Sequence, residues 1–253
     1  MKIVCIGSGN VATHFANAFK ANAAELIQVW SKNQDHAAAL AGVTGAQPIS
    51  DLKEIDPEAD LYLIAVKDDA IPEVIKALAD VKGMVVHTSG ATDIGVFHET
   101  GMNFGVLYPL QTFSKQKALD FKHVPLCIEA KDQETLDALK SIARMLSPLV
   151  YEVNSEKRRI LHLSAVFACN FVNHLYALSN EILQKNDLDF DILRPLIMET
   201  AVKVQDALPA DVQTGPAIRN DEQTIIKHKE LLRDMPELED IYETLSKSIK
   251  KTH

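Results

Sequence analysis

Apolar residues fall into two rhythms along this chain. Over about the first 150 positions, short runs read as strands: KIVCI (2–6), ELIQVWS (25–31), DLYLIAV (60–66), GMVVHT (83–88), NFGVLYP (103–109) and VPLCIEA (124–130). Between them, residues 11–21, 35–41, 71–79 and 133–146 repeat their apolar positions near every 3.6 residues, which predicts amphipathic helices. Pro72 near the start of the third fits a helix N-terminus, where its missing N–H costs nothing. Strand and helix in alternation predict a parallel sheet with helices on its faces. After about Val153 the strand rhythm stops. Helices are predicted over about 155–185 and 189–207, followed by a loop, LPADVQTGPAI, and two more helices. The expected organisation is an α/β domain over 1–153 and an all-helical domain over 154–253, with the boundary in YEVNSEK.

The first strand runs into GSGNVA, Gly7 to Ala12, a G-x-G-x-x-A pattern between a strand and a helix. In that context the pattern predicts a Rossmann-type dinucleotide site. Gly7 permits the tight turn, Gly9 lets the backbone approach a pyrophosphate, and Ala12 keeps the helix close to the sheet. Ser8, Asn10 and Val11 complete the cradle, and the helix N-terminus favours the anion. Val66 and Lys67, where another strand ends, are assigned to the same cofactor. An NAD site usually places Asp or Glu after the second strand, on the ribose 2′-hydroxyl. Here WSKN (30–33) offers Ser31 and Lys32, a hydroxyl and an ammonium that suit a 2′-phosphate, so NADP is favoured. Asp35 nearby keeps NAD possible.

Charge narrows the partners. Lys and Arg total 26 against 35 Asp and Glu, a net charge of -9 that repels nucleic acid and anionic lipid. Three cysteines, none in a Cys-x-x-Cys pair, suggest neither a disulfide framework nor a metal site. No secretory signal is legible, so a cytoplasmic location is expected. The stretch 160–180 carries no charged residue and is long enough to cross a bilayer. Its His162, Asn170, Asn173, His174 and Asn180 would be expensive in hydrocarbon, so a helix buried inside protein is predicted instead. A helix apolar around much of its circumference is hard for one small bundle to cover, which predicts a homodimer through the helical domain.

Taken with the glycine loop, LIAVKDDAIPEVI, HTSGA (87–91), LYPLQTF (107–113) and TGPAIRND (214–221) give the whole chain a resemblance. It resembles the Rossmann-like oxidoreductases that carry a helical C-terminal domain of unknown function, relatives of pyrroline-5-carboxylate reductase. The resemblance implies an NADP-type Rossmann domain and a helical domain like that of the 6-phosphogluconate dehydrogenase superfamily. It implies no substrate. Members of that group usually have His-Pro-Leu where this chain has Tyr108-Pro109-Leu110, and Arg-Gly-Asp where it has Arg219-Asn220-Asp221.

Hydride transfer leaves developing charge that a donor must neutralise, so His, Ser, Tyr, Asn and Lys at strand ends are the candidates. Ser89, His162 and Asn170 are the expected catalytic group, with His162 as proton donor because imidazole titrates near neutral pH. His87, Thr88, Gln111, Asn173 and Arg219 are expected to contact substrate, Arg219 through a carboxylate. Gly90 would keep the backbone clear of that substrate. The leading reading is an NADP-dependent oxidoreductase of a small carbonyl, imine or hydroxy acid held between the domains. A non-catalytic NADP sensor and a prephenate- or arogenate-type dehydrogenase remain open beside it.

Overall fold

The computed structural model describes residues 1–98 and 100–252. The predicted alternation forms strands β1 (Lys2–Ile6), β2 (Glu25–Trp30), β3 (Gln47–Ile49), β4 (Leu61–Ile64), β5 (Met84–His87), β6 (Asn103–Pro109), β7 (Leu126–Ala130) and β8 (Val150–Glu152). The intervening helices are α1 (Asn10–Ala21), α2 (Gln34–Thr44), α3 (Ile71–Ala77) and α4 (Gln133–Leu146). The strands make one sheet in the order β3-β2-β1-β4-β5-β6-β7-β8. All neighbours are parallel except β6 and β7, which run antiparallel, so the parallel sheet expected from the sequence is present with one antiparallel pair. The connection between these two strands contains no helix that could return the chain to the starting edge.

Alternation within the strands builds two cores. Ile3, Cys5, Leu61 and Leu63 face Phe15 and Phe19 of α1 and Leu139 of α4. Val4, Ile6, Tyr62 and Ile64 face Ile71, Val74 and Ile75 of α3, with Phe97 beside them. A sheet buried on both faces explains why these strands read as near-continuous apolar runs.

The chain divides into two compact units, Met1–Asn170 and Phe171–His253. The division falls inside the long predicted helix, later than YEVNSEK. That helix comprises α5 (Ser155–Ala165), a π-helical turn (Val166–Phe171) and α6 (Val172–Gln184). The second unit also holds α7 (Arg194–Asp206), α8 (Glu222–Leu231) and α9 (Pro236–Thr252). Asp221 caps α8, its carboxylate accepting from the Thr224 N–H at 3.1 Å. His228 Nδ1 lies 2.9 Å from the Tyr242 hydroxyl, and Lys229 reaches Glu239 at 3.4 Å, tying α8 to α9.

One expectation fails in the single chain. Residues Ser155–Gln184 are long and apolar enough to cross a membrane by length and composition, yet none of the most apolar window is buried. Ile160 is 60% and Leu163 58% exposed. The apolar helix is present as expected, with residues such as Leu161 and His162 half-buried and others exposed.

Candidate active site

The glycine loop forms because β1 must turn sharply beside β4. Gly7 has φ +127°, and a Cβ there would stand 2.2 Å from the Ala65 carbonyl oxygen. Both demands exclude a side chain. At Gly9 a Cβ would meet nothing within 4 Å, so the backbone beside it is open. Gly9 caps α1 without a side-chain hydrogen bond, and no acidic residue occupies the first turn. The N–H groups at this helix end are therefore left for an anionic ligand.

These residues open onto a cleft of about 900 Å³, a size typical of ligand sites. Every residue assigned to the cofactor from the sequence lines it: Gly7, Ser8, Gly9, Asn10, Val11, Ser31, Lys32, Val66 and Lys67. The Ser8 hydroxyl donates to Ser31 Oγ at 3.0 Å, linking the glycine loop to the end of β2. Lys32 lies 3.8 Å from Glu73, both side chains being mostly exposed, so this pair holds Lys32 only weakly. An uncapped helix end, two serine hydroxyls and an ammonium fit a dinucleotide carrying a 2′-phosphate. Lys32→Ala should weaken NADPH binding about tenfold and leave NADH binding nearly unchanged; equal losses for both in a fluorescence titration would refute this role.

The other end of the cleft is built by Thr88, Ser89, Gly90, Tyr108, Gln111 and His162. After β5 the chain turns on Ser89, whose Oγ accepts from the N–H groups of Ala91 and Thr92 at 3.1 and 2.9 Å. Those bonds fill the oxygen's acceptor sites and leave its O–H to donate. Tyr108 Oη and His162 Nδ1 are 3.0 Å apart, with the rings edge to face. A Cβ on Gly90 would lie 2.8 Å from His162 Cγ and Nδ1 and 2.9 Å from Tyr108 Cε2. Gly90 thus clears room for these two rings while lining the cleft itself. Gly90→Ala should push both rings aside and cost about 1–3 kcal/mol in denaturant unfolding; a wild-type midpoint would show that the rings yield freely.

His162 is carried by α5, which a buried polar cluster fixes to the first unit. Arg158, one turn before His162, is fully buried and paired with Glu129 of β7. Its Nη2 donates to the Thr92 carbonyl at 2.6 Å and to Ser155 Oγ at 3.0 Å. Ser155 Oγ donates to Glu129 at 2.7 Å and accepts from the Ile94 N–H at 2.9 Å. The turn after HTSGA and the start of α5 are thereby one connected structure.

Two expected site residues of this unit lie elsewhere. His87 is fully buried, stacked on Phe97 with ring centroids 5.7 Å apart. As the last residue of β5 it points into the core while Thr88 and Ser89 reach the cleft, so it is corrected from substrate contact to core residue. Asn170 is exposed and does not line the cleft. Eight residues beyond His162, it lies about 12 Å farther along the helix, which removes it from the expected group. Asn173 and Arg219 belong to the second unit and are exposed there. Tyr108 and Arg158 are the residues that sequence reasoning missed. Among the described residues no cluster of His, Cys, Asp or Glu could hold a metal ion.

A parallel sheet, an open glycine cradle and a polar wall in one cleft define a dinucleotide-dependent oxidoreductase. Residues 2–88 match the family model described as NADP oxidoreductase, coenzyme F420-dependent, and residues 124–249 match a domain of unknown function, DUF2520. A structure described as a candidate NADP oxidoreductase of Bacteroides fragilis is 44% identical, with TM-score 0.95, over 99% of this chain and 98% of that one. The chain belongs to this NADP oxidoreductase family. An imine reductase from Myxococcus stipitatus, in complex with NADP+, shares the fold at TM-score 0.69 and 14% identity, over 99% of this chain and 93% of that one. A pyrroline-5-carboxylate reductase from Coxiella burnetii does so at TM-score 0.60 and 19% identity, over 98% and 97%. No curated protein matches the sequence.

Proposed function

We propose that this protein is an NADPH-dependent reductase of a small carbonyl or imine compound, able to run in reverse on the corresponding hydroxy or amino compound. The observation that carries the reading is that His162, Ser89 and the glycine cradle line one cleft. NADPH, when bound, supplies the hydride. His162 supplies the proton, as an imidazolium, to the oxygen or nitrogen that becomes more basic as the hydride arrives. Ser89, with its oxygen held by two N–H groups, donates its O–H to that same atom, and Thr88 and Gln111 shape the wall around it. The fold shared with an NADP+-bound imine reductase and a pyrroline-5-carboxylate reductase makes cyclic imines the first compounds to test.

The test follows NADPH oxidation across cyclic imines, ketones and 2-oxo acids. For a substrate that turns over, His162→Gln should lower kcat by about 100- to 10,000-fold with the affinity for NADPH unchanged. Full activity in that variant would sink the assignment of His162 as the proton donor. Stoichiometric NADPH binding with no turnover across the panel would favour the sensor reading, and oxidation of prephenate the dehydrogenase one.

The uncovered helix gives the same reading an assembly. We propose that a second copy covers it, making a cytoplasmic homodimer through the helical region, since its His and Asn side chains suit a protein partner better than hydrocarbon. A monomer in light scattering at micromolar concentration would refute this.

A further inference from the structure

The contact between Tyr108 and His162 joins residues 54 apart in sequence, from the end of β6 and from α5. Three features show it is built rather than incidental. Gly90 leaves the space both rings need. The Arg158 cluster fixes the helix one turn before His162. Val106 and Cys127 pack with Tyr108, and Leu161 packs against the same cluster. Both rings line the cleft that also contains Ser89 and the glycine loop.

We infer that Tyr108 is a positioning residue whose hydroxyl occupies Nδ1 of His162, so that Nε2 is the nitrogen that exchanges protons in the cleft. The chemical consequence rests on the reductase reading; the choice of nitrogen does not. A phenol hydroxyl can rotate, accepting from Nδ1–H of the imidazolium or donating to a bare Nδ1, so it follows the ring through both charge states. In the reductive direction the Nε2–H bond breaks as the new O–H or N–H bond of the product forms, and the bonding pair stays on Nε2. The hydride comes from NADPH. Nδ1–H stays on the ring, accepted by Tyr108, and Nε2 regains a proton from water. Burial pushes the Tyr108 hydroxyl up to about 12, so it remains a phenol throughout and neither supplies nor keeps the transferred proton.

The experiment uses the full-length protein labelled with 15N-histidine. In long-range 1H–15N spectra, Tyr108→Phe should move the His162 Nδ1 resonance and leave Nε2 nearly in place. An unmoved Nδ1, or equal movement of both nitrogens, would overturn the inference. The wild type gives a second measurement that needs no variant: at mildly acidic pH the Nδ1 proton should exchange with water more slowly than the Nε2 proton, and the opposite order would refute it. With a substrate in hand, Tyr108→Phe should lower kcat about tenfold at unchanged KM for NADPH. Failure of the two readings is separable. Absence of NADPH turnover across the panel would remove the reductase reading, and turnover surviving in His162→Gln would remove His162 as its proton donor, while either leaves the nitrogen selectivity to be read from the spectra.

Discussion

Arg158→Met is expected to destabilise the protein by about 3–5 kcal/mol, the usual consequence of leaving a buried charge without its partner. The Arg158 side chain is fully buried and that of Glu129 only 16% exposed. Removing the guanidinium leaves the carboxylate of Glu129 with no positive partner, only the Ser155 hydroxyl, and takes from the Thr92 carbonyl its bond to Arg158. The double variant Arg158→Met with Glu129→Leu should regain most of the loss, because two apolar side chains leave no charge to solvate. Denaturant unfolding of the two singles and the double measures this directly. A single variant within about 1 kcal/mol of wild type would show that water reaches Glu129 and the cluster is not closed. The rescued double variant also separates stability from function. With the tie to Thr92 gone, α5 is held to the turn after Ser89 only by the Ser155–Ile94 hydrogen bond and the exposed Arg159–Asp93 pair, so the register of His162 on the cleft should loosen and turnover should stay below wild type even where stability returns.

That coupling explains what the sequence showed and what it hid. The β/α alternation was readable because each main strand is an apolar run buried on both faces, and the glycine loop because its two glycines answer to local geometry. Strands β3 and β8 were missed, as three residues each are too short for a period to register. The antiparallel turn of β7 was hidden because an apolar run looks the same in either direction. At the site, local signals sufficed for Ser89 and Thr88, which follow directly from the end of β5. They failed for His87, since a strand's alternation of faces separates neighbours that the motif HTSGA presents together. Arg158 sits in SEKRR, where a charged run reads as a solvated helix start; its neighbours Lys157 and Arg159 are indeed exposed, and it alone of the charged residues turns inward. In the sequence Tyr108 stands out only as a departure from the usual family residue. Its meaning depends on a contact across 54 residues that no spacing rule reaches.

The buried His87 should make the protein labile to acid well above the range where carboxylates titrate. Its pKa is lowered from the ordinary 6.5 to about 3, first by burial and then by the positive charge of Arg158, with Asp93 opposing weakly. Geometry agrees: Nδ1 accepts from the Ser89 N–H at 3.2 Å, and Nε2 has no partner among the described residues. A proton on Nδ1 would break the bond that starts the turn into the cleft. Because the folded pKa lies below the unfolded one, the unfolded chain binds a proton that the folded chain refuses. Stability from this group is therefore complete above about pH 6.5 and is lost as the pH falls toward 3, by about 1.4 kcal/mol per pH unit. Between pH 6.5 and 5 the expected loss is about 2 kcal/mol. His87→Asn keeps an acceptor for the Ser89 N–H and removes the titration, so its unfolding free energy should fall less steeply over that interval. Carboxylates contribute equally to both proteins and cancel in the comparison. Parallel pH dependences for wild type and His87→Asn, measured by urea unfolding, would mean that His87 takes up its proton in the folded state, and that the turn carrying Ser89 does not need Nδ1 bare.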